Sequence, residues 1–334
     1  MKYLLSIVVL SAVFTAGCRT VPMVRFVAGD DKIDVLVGQN HFTSYRCSET
    51  LTKPFLFPLN SPSGIAVNRS YPLAHIEGES TDHPHHTGLF FTYDNVNDEG
   101  FWNNTSSPPQ IRHVRVTESA AGPGCGKLST VMHWVGRGGN VLLVEKRDMF
   151  FRAGRDKYIV DFSIDLTACD EKVVFGDTKE GMFAIRVADW LKESGGSGEY
   201  VSSTGRKKEK NIWGTRARWV RLQGRKGDKV IGIVIANYPD SVNYPTYWHA
   251  RGYVLFAANP LGRYVFEKSR QSENPQPFQL TLEPGRTAHF GFRVIIYEGA
   301  KTAEQIQRSL RSITKGSIKN INCRKTGQEN ENRN

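Results

Sequence analysis

The stretch DHPHHTGLFF, residues 82–91, sets Asp82 ahead of His83, His85 and His86 and then runs into apolar and aromatic side chains. Imidazole binds transition metals and exchanges protons near neutral pH, and a neighbouring carboxylate can fix its tautomer. An extended segment would put His83 and His85 on one face and turn His86 away, whereas in a turn almost any pair converges. Pro84 biases His83 toward an extended backbone, and the sequence leaves both readings open. The aromatic residues that follow, Phe90, Phe91, Tyr93, Phe101 and Trp102, offer a shelf suited to a sugar ring.

Two more segments carry chemistry. FGDTKEGMFAIRVADW, residues 175–190, brings Asp177, Lys179, Glu180 and Arg186 into an apolar setting, where each charge needs a partner or a ligand. Glu180 is a candidate for proton transfer if burial raises its pKa; the competing reading is a structural pair, Glu180 with Arg186 or Asp177 with Lys179. In NYPDSVNYPTYWHARGYVLFAANPLG, residues 237–262, Tyr244, Tyr247, Trp248 and Tyr253 surround His249 and Arg251, which share one strand parity. Rings stack on sugar faces and an arginine grips carboxylates or hydroxyls.

These segments nominate His83, His85, Lys179, Glu180, His249 and Arg251 for catalysis, and His86, Trp102, Asp177, Arg186, Tyr247 and Trp248 for substrate contact. His83, His85 and His249 are also candidate ligands of a divalent ion, with Asp82 or Glu180 as a further ligand or as the group that orients one. No strand-borne GxGxxG, P-loop, HExxH or GxSxG is present, so the cofactor expected is a metal ion or none, and no nucleotide.

The elements that must hold these residues read mainly as strands. In KYIVDFSIDL, residues 157–166, Tyr158, Val160, Phe162, Ile164 and Leu166 alternate with mostly polar neighbours, the period of a half-buried strand. The same pattern predicts strands near 114–117, 128–135, 141–151, 217–222, 230–236 and 290–297, separated by turns such as GRGGN and GRKGD. The convincing helix is 301–313, where Ala303, Ile306, Leu310 and Ile313 recur at spacings of three and four. Many strands without alternating helices predict a large antiparallel β-sandwich. It is read as one domain over 22–300, followed by the helix and a flexible tail over 314–334 in which Ile318 and Ile321 could pack locally.

The chain opens with Lys2, an apolar run over 4–14 and small residues before Cys18, the pattern of an export signal over 1–17. Cys18 directly after Ala16 and Gly17 resembles a lipoprotein signal, which predicts lipidation at Cys18, a short lipidated N-terminus over 18–21, and a periplasmic or outer-membrane location. Thr15 departs from the leucine usual three positions before such a cysteine. The apolar run is too short to span a bilayer, which takes about 20 residues. Cys47, Cys125, Cys169 and Cys323 are scattered without metal or redox spacing, so no disulfide framework is indicated and a single bridge stays open. The net charge of +11 invites a nucleic-acid partner. Export and the lack of stacking aromatics beside the basic runs at 206–208 and 225–226 argue against one, and leave a solvated loop or an anionic polysaccharide or envelope surface.

DHPHHTGLFF, Phe101-Trp102, GDTKEGMFAIRVAD (176–189), WGTRARWV (213–220) and NYPTYWHARGYVLFAANPLG (243–262), with KPFLFPLNSPSGIAVNR (53–69), resemble a bacterial family called methane oxygenase PmoA, over about residues 33–297. Particulate methane monooxygenase is a membrane assembly, and after its leader this chain has no run long enough to cross a bilayer. The resemblance instead implies an exported protein of carbohydrate degradation with a sandwich similar to those of sugar mutarotases and several polysaccharide lyases. It marks Asp82, His83, His85, His86, Asp177, Lys179, Glu180, Arg186, His249 and Arg251. The function expected is therefore cleavage of an oligo- or polysaccharide, anionic or neutral, by hydrolysis or β-elimination. A non-catalytic glycan-binding lipoprotein and a structural envelope protein are the alternatives.

Overall fold

The computed structural model describes residues 21–104 and 108–323. The segment expected to be a leader, Cys18 and the end of the expected tail lie outside the described residues. Two large antiparallel sheets face each other. The first runs, in spatial order, Glu199–Ser202, Trp219–Lys226, Lys229–Asn237, Thr287–Glu298, Lys157–Ala168, Val141–Ala153, Cys125–Val135 and Gln110–Ala120. Every strand expected from alternation falls in this eight-stranded sheet. Tyr158, Val160, Phe162, Ile164 and Leu166 all point into the core, each 3% exposed or less.

The second sheet has nine strands, in the order Tyr247–Ala250, Leu255–Asn259, Gly181–Arg186, Leu89–Tyr93, Phe55–Leu56, Asn40–Arg46, Lys32–Val37, Met23–Ala28 and Gly122–Pro123. Aromatic pairs join the two sheets, with Phe183 stacked on Phe292 at 4.4 Å, Phe162 edge-on to Phe183 at 4.9 Å and Phe91 against Phe290 at 5.6 Å. Such contacts add to the area term that drives burial.

The helix forms over Ala303–Ser309, opened by a capping box between Thr302 and Gln305. Ala303, Ile306, Leu310 and Ile313 lay it on the outer face of the eight-stranded sheet, against Trp219, Val234 and Ile295. The following residues, expected to begin a flexible tail, are tied down as far as 323. Ile318 is fully buried, and Cys323 forms a disulfide with Cys125. A second seven-residue helix, Arg263–Ser269, was not anticipated. Its N-terminus is held from outside by Asp177, whose carboxylate accepts from the backbone N–H of Tyr264 at 2.7 Å and of Val265 at 3.3 Å.

Candidate functional site

The site is built on the outer face of the nine-stranded sheet. Cross-strand partners place His249 opposite Ala257, Ala257 opposite Ala184, Ala184 opposite Phe90, and Phe90 opposite Phe55. Directly paired residues share a face. The row therefore runs His, Ala, Ala, Phe, Phe, and its two alanines leave a low floor between an imidazole and an aromatic wall. Trp102 packs on Phe90 at 5.1 Å and closes that wall.

The histidine motif hangs over this floor as a turn, which decides between the two backbone readings. The His86 N–H donates to the His83 carbonyl at 3.0 Å, with Pro84 and His85 at the corner. His83 takes a left-handed φ of 47°, a conformation that persists only when its surroundings hold it. They do so through Asp82. One oxygen of that carboxylate accepts from Arg69 at 2.7 Å and Arg186 at 2.5 Å, and the other from His83 Nδ1 at 2.5 Å. Gly88 then enters the strand at φ 59°, where a Cβ would lie 2.3 Å from the Leu56 carbonyl oxygen. Only glycine permits both.

The turn stacks four nearly parallel rings. Tyr253 lies 5.4 Å from His83, His83 4.9 Å from His86, and His86 6.1 Å from Phe90, with interplanar angles of 7°, 3° and 18°. His85 stands edge-on to His86 at 4.3 Å. Beside the stack is a cavity of about 170 Å³ lined by His83, His85, His86, Asn103, Lys179, Glu180, His249, Arg251 and Tyr253. His249 Nδ1 donates to the Lys179 carbonyl at 2.9 Å. A carbonyl only accepts, so in the neutral ring Nε2 carries the lone pair. The same logic puts the lone pair of a neutral His83 on Nε2, because its Nδ1 faces Asp82.

Burial sets the charge states. Desolvation takes His85 and His249 each down to about 4 from the usual 6.5, and nearby cations such as Lys53 add to this at His85. His86, fully enclosed with no hydrogen-bond partner on either ring nitrogen among the described residues, is held far below the usual range by desolvation. Burial alone would raise Asp82, but Arg186, His83 and Arg69 outweigh it and hold the carboxyl below its ordinary value. Burial raises the Tyr253 phenol, which keeps its proton at neutral pH.

All six residues nominated for catalysis line the cavity, as does His86. The other nominees for substrate contact do not. Asp177 is spent on the helix. Tyr247 donates to Glu267 at 2.7 Å beyond the cavity, and Trp248 faces the sandwich core, bonding the Ala217 carbonyl at 3.0 Å. Trp102 sits behind His86, and Arg186 lies under Tyr253 as an anchor for Asp82. The expected structural pairs give way to a contact between neighbours, Lys179 with Glu180. Asn103, Arg69 and Lys53 were missed; the lysine opening the apolar run KPFLFPL was a usable signal. Among the described residues no group of three or more His, Cys, Asp or Glu side chains is arranged to hold a metal ion. His83 and His249 commit Nδ1 to Asp82 and to the Lys179 carbonyl, which leaves Nε2 as the nitrogen either would offer.

No curated protein matches the chain in sequence. Solved structures similar to it include the α-galactosidase AgaB from Geobacillus stearothermophilus (TM-score 0.40, 9% identity, covering 83% of this chain and 41% of that one). A second is the 4-α-glucanotransferase from Thermococcus litoralis (0.33, 10%, 83% and 40%). A third is a galactose mutarotase related enzyme from Lactobacillus acidophilus (0.30, 11%, 84% and 98%). The chain thus spans about two fifths of the first two. At these scores and identities the likenesses carry no functional assignment. The match that does extend through the sandwich and the site is to a sequence family, over residues 32–311, and by it the chain belongs to the family of unknown function DUF6807.

Proposed function

We propose that the protein is a carbohydrate-active enzyme that breaks a glycosidic linkage by histidine-mediated proton transfer, with β-elimination favoured over hydrolysis. The observation that carries this reading is the convergence of His83, His85, His86 and His249 with Lys179, Glu180, Arg251 and Tyr253 on one aromatic-walled cavity. A structural role for the histidines would not require them to share a cavity. Two-carboxylate hydrolysis needs carboxylates about 5 to 9.5 Å apart across the bond. Glu180 is the carboxylate that lines this cavity, whereas both oxygens of Asp82 are taken by Arg69, Arg186 and His83.

Elimination uses what is present. Arg251 binds the carboxylate of an acidic sugar and draws charge from the adjacent carbon. Nε2 of His249 takes the proton from that carbon, the electron pair becomes a carbon–carbon double bond, and the bond to the leaving oxygen breaks. Tyr253 returns a proton to that oxygen. An incoming carboxylate also raises the affinity of His249 for its proton.

Incubation with acidic and neutral oligosaccharides tests the reading. Elimination yields ultraviolet-absorbing unsaturated ends from acidic substrates; new reducing ends without unsaturation would indicate hydrolysis, and binding without products the glycan-binding lipoprotein. Export with lipidation at Cys18, and the methane-oxygenase-named family as the source of the motifs, belong to the same reading. The Cys125–Cys323 bridge supports an oxidising compartment, and incorporation of labelled fatty acid, lost in Cys18→Ser, would test the anchor. The divalent ion is tested by elemental analysis of untagged protein, then by chelation and restoration.

A further inference from the structure

A second cavity, of about 230 Å³, adjoins the first, and His85 lines both. Its other walls include Thr50, Thr52, Thr87, Pro72 and Leu73, and one of its lining residues is Lys53. Lys53 is 2% exposed. Its Nζ lies 5.5 Å from the Phe90 ring centroid, and among the described residues it has neither a hydrogen bond nor a carboxylate partner. A buried ammonium left this way is costly, and a protein normally pairs it or neutralises it. Burial here brings the group down to about 7. The lysine, the three threonines and the open volume form a pocket with the donors for an anion and the space to admit one. The net charge of +11 draws anionic chains toward it.

We propose that this pocket is a second sugar subsite in which Lys53 binds the carboxylate of the residue next to the one in the histidine cavity, so that the substrate is a chain of acidic sugars. The inference rests on the glycan reading of the first cavity and extends it: Arg251 serves the reacting residue and Lys53 its neighbour. Phe90 touches both, its ring stacked with His86 at 6.1 Å and 5.5 Å from the Lys53 Nζ.

The test is calorimetric titration of the full chain with three tetrasaccharides: a polyuronate, the same backbone with its carboxylates reduced to alcohols, and a sulfated neutral analogue. Wild type should prefer the uronate to its reduced form. Lys53→Met should lower that preference by about tenfold, the size of one charge-assisted hydrogen bond, with affinity for the reduced form within about twofold of wild type. Lys53→Gln, which keeps a donor without the charge, should behave the same way. Removing an unpaired buried charge should also raise the melting temperature in both variants, which separates loss of the subsite from loss of the fold. A preference unchanged in both variants overturns the subsite and leaves the first cavity's reading standing. Selective binding of the sulfated chain through Lys53 overturns the carboxylate assignment. Failure of all three chains to bind overturns this proposal and the glycan reading together.

Discussion

The two sheets differ in what covers their outer faces. The eight-stranded sheet turns one face to the core and leaves much of the other to solvent and the C-terminal helix, so its strands alternate; Lys157–Ala168 carries buried residues at every second position and partly exposed ones between most of them. In the nine-stranded sheet the strands Leu89–Tyr93, Gly181–Arg186, Tyr247–Ala250 and Leu255–Asn259 are buried at every residue. Their inner faces meet the other sheet, while their outer faces lie beneath Trp102, Tyr253 and the histidine turn. One sheet supplies the wall of the sandwich, and the other supplies the floor of a cavity. A buried outer face costs the strand its polar positions, and the polar groups that remain on it, such as His249 and Arg186, are those held by specific partners.

Substitutions should divide along that line. The largest effect is expected at the floor of the site: His249→Ala should lower turnover about 10²- to 10⁴-fold, the usual worth of a positioned base. Substrate affinity should change far less, and steady-state kinetics with the best substrate would separate the two. A loss confined to affinity would turn the protein into a binder.

In the wall the balance reverses. Phe162 is 2% exposed and packs on Phe183 across the core. Phe162→Ala should cost about 3–5 kcal/mol of stability, read from urea unfolding, with turnover per folded molecule preserved. Reduced turnover at full occupancy of the fold would mean that the two sheets are not separable in function.

Acid offers a third probe. His249 takes up a proton near 6.5 when unfolded and near 4 when folded, because desolvation outweighs the attraction of Glu180. Between these values the unfolded state binds more protons, so stability falls as pH drops across the window. The window spans roughly 2.5 in pH, or about 3 kcal/mol. His249→Gln should remove its share of the slope measured between pH 7 and 4 and leave the share of His85 and His86, which burial lowers as well. Phe162→Ala should leave the whole slope intact. An unchanged slope in the glutamine variant would place the titration elsewhere.

The smallest of these effects is expected from filling the floor. Ala257 is fully buried between His249 and Ala184. Ala257→Leu should cost about 1–3 kcal/mol by overpacking and should displace the imidazole. Turnover should then fall more than the stability loss explains, by comparison with a variant of equal stability loss in the wall.

Which of these regions the sequence could reveal follows from the same burial. Alternation exposed the wall strands because solvent demands polar residues at every second position. The helix over 303–309 was legible from the spacing of Ile306 and Leu310, and the six catalytic candidates from their residue types. Strands such as GMFAIR and LFAAN carry no period when both faces are covered, and were recognised only as parts of motifs. Asp177 and Trp248 misled because a charge or a ring in an apolar segment serves a helix terminus or a core as readily as a ligand.

By itself, then, the sequence determined a strand-built sandwich and the residue types available for chemistry, since both follow from local patterns of side chains. The tertiary structure alone decided which of those residues meet. The turn at 83–86 depends on Asp82 finding Arg69, on a separate loop 13 residues earlier, and Arg186, 104 residues later. The floor depends on the register that sets His249, Ala257, Ala184 and Phe90 in one row across four strands. Contacts of that kind are fixed by packing and pairing between segments many residues apart, and no local pattern records them.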